Sequence, residues 1–269
     1  MRNVLCAIRR PAIQWRLALF TAPLVLLPVE LAMATNLPDS AWYREFATAD
    51  LGGYLEGARR FLATGSPYLP PQIAGPWTLG AHSFIHPPTA LPLFLAFLVL
   101  PWPLWWAIPL ALTIAVVWQL RPAPWSWPLL AACVLWPRSL GSLAAGNSDM
   151  WAMALVAVAV RWGPGPLLAA LKPTFAPLAL VGIRTRAWWI AALACAALGL
   201  LTLPLWFEYL AVVRNAGLPL TYSLLNVPLL AIPLVAWAGR QVPARYSAAT
   251  CEGVSAEFQM AISPSVPLK

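Results

Sequence analysis

Charge is scarce in this chain. Of its 269 residues 10% are charged, against roughly 25% in soluble domains, which leaves too few ionised groups to solvate an ordinary soluble surface. The acidic side is the poorer one, with 9 Asp and Glu beside 17 Lys and Arg, a formal net charge of +8. That excess does not point to nucleic acid, because the basic residues sit singly or in pairs between apolar runs and form no single face. Cysteine is equally sparse: Cys6, Cys133, Cys195 and Cys251 share no metal-type spacing, which argues against a disulfide framework and a zinc site. Walker, GxGxxG and HExxH patterns are missing, and with them the usual soluble chemistries. No repeat of about 20 to 50 residues is visible, so neither a solenoid nor a repeat-built transporter is indicated.

What is abundant is apolar. Hydrophobic residues make up 61% of the chain, with 16 Trp and 29 Pro. Trp anchors at membrane interfaces, and Pro is tolerated in spans whose neighbours re-satisfy the freed carbonyls. The composition therefore predicts an all-α, polytopic transmembrane helical bundle. A first span is expected over residues 17–37, behind Arg2, Arg9, Arg10 and Arg16, which hold the N-terminus in the cytoplasm. The long apolar run from Pro88 to Leu120 is interrupted at Pro101 to Pro103 and reads as two spans. Further spans are expected over 126–143, 149–162, 165–183, 187–207 and 219–239, about eight in all. The count puts Arg184, Arg186, Arg240 and Arg245 inside and Arg121, Arg161 and Arg214 outside. Residues 1–239 then form a transmembrane domain with an outer loop over 38–87, and 240–269 a disordered cytoplasmic tail.

Within that outer loop, Leu51, Tyr54, Leu55, Ala58 and Leu62 recur at helical spacing and draw one apolar stripe. Glu56, Arg59 and Arg60 occupy the other sides. Asp50 stands where an N-cap belongs and Gly65 where a left-handed residue ends a helix, with Pro67 just beyond. The stretch predicts a short amphipathic helix lying on the outer membrane face. Among the polar residues in the membrane or at its outer face, the candidates for a site are Asp50, His82, His86, Asn147, Asp149 and Lys172.

The order of several pieces resembles a family. An Asp opening a helix after the first span, GSPY at Gly65 to Tyr68, FIHPP at Phe84 to Pro88, GNSDMWAMALVAVAV at Gly146 to Val160 and LAALKPTFAPLAL at Leu168 to Leu180 are similar to the polyprenol-phosphate-mannose-dependent mannosyltransferases. These are glycosyltransferase family 87, with the GT-C fold. The resemblance covers roughly residues 17–235, and the chain is short at its C-terminus beside such proteins. It implies a plasma (inner) membrane enzyme that moves a sugar, mannose by this likeness, from a polyprenyl-phosphate donor to an acceptor hydroxyl on a glycolipid or glycan. Transfer would occur at the outer face with inversion; no metal ligands and no cofactor are assigned, and the sequence leaves the metal requirement open. Asp50 would be the general base. Lys172, Arg59 and Arg60 would bind the donor phosphate, and His82 and His86 would meet phosphate or acceptor.

Each assignment has a plainer counterpart. Asp50 can be a helix cap alone, Arg59 and Arg60 a solvated or head-group face, the histidines ordinary loop residues, and Lys172 a side chain snorkelling to the interface. Asn147 and Asp149 fall near the cytoplasmic side in the expected topology and so stay outside the expected catalytic set. Two alternatives to the enzyme remain: a transporter or lipid-flipping protein with Lys172 and Asp149 on a central path, and a catalytically inactive GT-C-like remnant.

Overall fold

The computed structural model describes residues 49–78, 83–217 and 225–240. The expected first span, His82 and the tail beyond Arg240 lie outside the described residues. Those described are all-α, and the first described element is the expected amphipathic helix, α1 (Ala49–Thr64). Leu51, Tyr54 and Ala58 of its stripe are buried, while Leu62, one turn further on, is 67% exposed, so the buried stripe ends before the helix does. Gly57 in the helix interior has a local reason: a Cβ there would stand 2.2 Å from the Phe84 ring. Gly65 ends the helix at φ 82°, as a left-handed terminator should. Asp50 is not the residue before the helix. It sits inside the first turn, and its carboxylate is engaged elsewhere.

From here two ends of the molecule can be followed. α2 (Pro70–Ala74), a 3-10 turn at Pro88–Ala90 and α3 (Leu91–Ala96) stay at the end where α1 packs. α4 (Leu104–Leu120) starts at that end too, since the Trp105 and Trp106 indoles donate to Gly146 O and Leu143 O. The stretch from Pro88 to Pro103 therefore does not pass from one end to the other, which corrects the expected span there. It carries Pro88, Pro92, Pro101 and Pro103, and prolines this dense keep any one helix short.

α4 runs to the opposite end. α5 (Trp127–Leu135) and α6 (Pro137–Ala145), bent by 58° at the Trp136–Pro137 junction, bring the chain back. α7 (Asp149–Trp162) then runs beside α4, with Trp151 near Trp105 at the start and Arg161 Nε donating to Gln119 Oε1 at the finish. α8 (Pro166–Leu171) and a 3-10 segment at Pro173–Leu180 follow. Their two feet meet: a Cβ on Gly182 would lie 2.3 Å from Gly163 Cα, and one on Gly165 would lie 2.3 Å from Ala179 O. Residues 163–182 are thus a hairpin that leaves one end, turns at Lys172 and returns. The expected single span over 165–183 is replaced by this device, because Pro173 and Pro177 interrupt a continuous helix.

α9 (Arg186–Leu201) climbs back, and after an 86° bend α10 (Leu203–Ala216) lies across the first end. There Asn215 Nδ2 donates to Gln72 O and Ile73 O, and Trp77 Nε1 to Val212 O. Finally α11 (Val227–Ala238) descends from Asn226 and closes on the start of α5, where Ala123 N donates to Gly239 O.

Charge divides between the two ends. Asp50, Glu56, Asp149 and Glu208, the acidic residues among those described, belong to the end with α1 and α10. Arg121, Arg161, Arg184, Arg186 and Arg240 gather at the other and are exposed. The flanks between carry bare apolar side chains, with Trp118 80%, Leu193 69% and Leu201 82% exposed. No single described helix is long and apolar enough to cross a membrane; the two bent pairs α5–α6 and α9–α10 reach that length and composition together.

Candidate functional site

The acidic end is built around the start of α7. Gly146 takes φ 69° and closes α6, so the chain turns sharply and presents Asn147, Ser148 and Asp149 in succession. Asn147 links three partners. Its Nδ2 donates to Asp50 Oδ2 at 2.6 Å, while its Oδ1 accepts from Asp149 N at 2.9 Å and from Lys172 Nζ at 3.3 Å. Two donors on Oδ1 fix the amide's orientation, so its NH2 must face Asp50.

Asp149 is completely buried. An isolated carboxylate there would be very costly, and three features offset the burial. Lys172 Nζ pairs with Oδ1, and Asn226 Nδ2 donates to Oδ2. The third feature is dipolar: Asp149 lies in the first turn of α7 and against the residue preceding α11, so the positive ends of two helices face it. Arg138 Nε donates to Asn226 Oδ1 at 3.3 Å and extends the network. Lys172 itself sits at the tip of the hairpin, where the backbone is extended (φ −141°, ψ 94°) between α8 and the 3-10 segment. The hairpin is moored by Thr89 Oγ1 donating to Ala170 O at 2.6 Å.

Beside this charged chain lies a buried aromatic one. The Tyr54 hydroxyl accepts from Ser148 N at 3.3 Å, His86 Nε2 is 2.7 Å from Ser148 Oγ, and the Tyr54 and His86 rings meet edge-on at 4.6 Å. Tyr68 donates to His86 O at 2.8 Å. His86 Nδ1 is buried without a hydrogen-bond partner among the described residues. Burial, reinforced by the Lys172 charge, therefore holds the imidazole pKa well below its ordinary value. Burial also raises the Asp50 carboxyl, and Asp149 adds to the rise, while the Asn147 hydrogen bond and the Lys172 and Arg138 charges act against it. Asp50 is half-buried, with the network on one side.

No family model matches this chain, and neither curated proteins nor solved structures give a match. The chemistry of the site is therefore argued from its geometry. Of the residues expected there, Asp50 and Lys172 are brought into one network through Asn147. His86 is next to it but buried in packing. Arg59 and Arg60 lie about 14 Å along α1 from Asp50, at about 1.5 Å per residue. Arg59 is exposed, and Arg60 donates to Pro67 O at 2.7 Å and pairs with Glu56 at 3.7 Å. Neither arginine touches the Asp50–Asn147–Lys172 network. Asn147 and Asp149, left out by the expected topology, are central.

Asn226 and Ser148 were not anticipated at all. One signal could have found Asp149. It is the single acidic residue between Glu56 and Glu208, and Lys172 stands alone in an apolar segment. A buried ammonium needs a carboxylate, and the sequence offers one in reach.

Proposed function

We propose that the protein is a multi-pass membrane glycosyltransferase of GT-C type. It would use a polyprenyl-phosphate sugar, with mannose the sugar indicated by the family resemblance, and a glycolipid or glycan hydroxyl as acceptor. The observation that carries this reading is the Asp50–Asn147–Lys172 network: a half-buried carboxylate of raised pKa, held by an amide that is itself oriented by an ammonium. Spanning of the plasma (inner) membrane is supported by the apolar flanks; the end with five exposed arginines and no described acidic residue is assigned to the cytoplasm, while Arg59, Arg60, Arg138 and Arg214 accompany the acidic residues at the other. α1, α10 and the Asp50 network then lie at the outer face, with α1 and α10 as interfacial helices.

In the reaction, Asp50 takes the proton of the acceptor hydroxyl as its oxygen bonds to the anomeric carbon. The bond from that carbon to the donor phosphate oxygen breaks on the opposite side, the electron pair leaves with the phosphate, and the configuration inverts. A carboxyl of raised pKa is the better base near neutrality. Lys172 has three donors and uses two, on Asp149 and Asn147. The third is free to meet the charge developing on the phosphate.

The test is transfer from a labelled polyprenyl-phosphate sugar by membranes containing the protein, compared with the same membranes carrying Asp50→Asn. Transfer by the parent and loss in the variant support the reading; equal transfer by both removes Asp50 as base.

A second reading rests on the hairpin. A broken segment with Lys172 at its tip, paired to a buried Asp149, is also what a transporter uses near its substrate path. Substrate flux into sealed vesicles, lost in Lys172→Met but kept in Asp50→Asn, would favour it.

A further inference from the structure

The arginine end holds a cavity of about 260 Å³ between the end of α7, the feet of the hairpin and the end of α11, lined by Arg161, Trp162, Gly163, Thr185, Leu234 and Trp237. It is smaller than the roughly 300 to 1,000 Å³ that takes a whole drug-sized ligand. Two arginine–tryptophan pairs lie at it: Arg161, Trp162 and Trp237 line the cavity, and Arg240 stands outside the lining, stacked on Trp237. Arg161 stands over the Trp162 ring with Cζ 5.2 Å from the centroid, and Arg240 over the Trp237 ring at 4.4 Å. Both tryptophans are substantially exposed, and indoles of this kind favour the level of lipid headgroups.

The arginines here lack their usual partners. The two ion pairs among the described residues are Arg60–Glu56 and Lys172–Asp149, both at the opposite end. Arg161 spends Nε on Gln119, and Arg240 one Nη on Trp237 O. The remaining guanidinium donors of each make no other hydrogen bond among the described residues, and such forks match a phosphate's oxygens bidentately.

We propose that this cavity binds the headgroup of an anionic phospholipid of the cytoplasmic leaflet, its phosphate held between Arg161 and Arg240 and its acyl chains lying along the apolar flank outside. The proposal rests on the reading that the chain spans a membrane with its arginine end in the cytoplasm. A headgroup fills the volume, the two forks neutralise its charge, and the aromatic walls pack against the glycerol backbone.

Purified full-length protein would be reconstituted with phosphatidylglycerol or phosphatidylcholine of identical acyl chains, and lipid retention read by native mass spectrometry alongside the thermal midpoint. Phosphatidylglycerol should be retained preferentially and raise the midpoint. Arg161→Gln and Arg240→Gln should each weaken retention about fivefold, the scale of one basic residue at a charged bilayer surface. Arg214→Gln, exposed on α10 at the other end, should leave it unchanged. Arg161→Lys keeps charge and stem, so it guards against misfolding and should retain an intermediate amount. Equal retention of both lipids, wild-type retention in both glutamine variants, or an equal loss in Arg214→Gln overturns the proposal. So does inorganic phosphate that displaces the lipid and stabilises as well as it does. If the protein fails to float with vesicles of either composition, the membrane reading falls; if it floats with both without discriminating, the headgroup site alone falls.

Discussion

Burial raises the Asp50 carboxyl above its ordinary value, so a base at this position should lose activity, as pH falls, before an exposed aspartate would. Two neighbours act on it with opposite sign. Lys172 lowers the Asp50 pKa and Asp149 raises it. Lys172→Met should therefore move the acid limb of kcat/KM to higher pH, and Asp149→Asn should move it to lower pH, whatever either does to the maximal rate. A shared direction in the two profiles would refute the coupling. Asp50→Asn keeps the atoms that Asn147 meets but has no useful basicity, so it should fold and insert normally while losing about 10²- to 10⁴-fold in rate. His86 gives a separate signature in stability. Its folded pKa lies below the unfolded value of about 6.5, so the unfolded chain binds the extra proton in the window between the two. Stability should fall there as pH drops below about 6.5, by up to about 1.4 kcal/mol per pH unit. His86→Gln should flatten that slope in thermal unfolding measured between about pH 7.5 and 5.5; an unchanged slope would assign it to another group.

Among the elements, the hairpin over 163–182 departs furthest from the sequence expectation, and its feet decide whether it forms. Gly182 adopts φ 83° with the Gly163 backbone directly against it, whereas Gly65 adopts nearly the same φ, 82°, with nothing within 4 Å of a would-be Cβ. Alanine at either position meets the left-handed penalty of about 1–2 kcal/mol, but at Gly182 it also meets backbone. Gly182→Ala should lower the thermal midpoint well beyond Gly65→Ala; equal shifts would mean that the feet are not in contact. Hydropathy could not have distinguished this hairpin from a crossing, since 165–183 is apolar and long enough for either. The helix over 51–62, by contrast, was legible from its stripe and its terminating glycine, because local spacing alone determines both. The site was half legible. Asp50 and Lys172 stand out as isolated ionisable groups, but Asn147 and Asp149 were removed by counting spans, and one segment misjudged as a crossing reverses every later assignment.

Across the whole molecule, the arginine distribution becomes more regular than the sequence count allowed. Arg121 and Arg161, expected outside, share the end that holds Arg184, Arg186 and Arg240. In a cysteine-free background, Trp162→Cys should accordingly be protected from an impermeant thiol reagent in intact cells, and Ser66→Cys should react. Reaction at both, or the reverse pattern, would break the two-ended arrangement. One further consequence follows from α4, α7 and α11 all running from the acidic end to the arginine end. The partners of Asp149 are delivered in order of synthesis: α7 is made first, Lys172 next, and Asn226 with the last helix described. Until Asn226 arrives, the buried carboxylate is incompletely satisfied, so a nascent chain halted before that helix carries an exposed defect in its interior. A chain truncated before α11 should therefore leave Asp149 Oδ2 without the amide donor that Asn226 supplies.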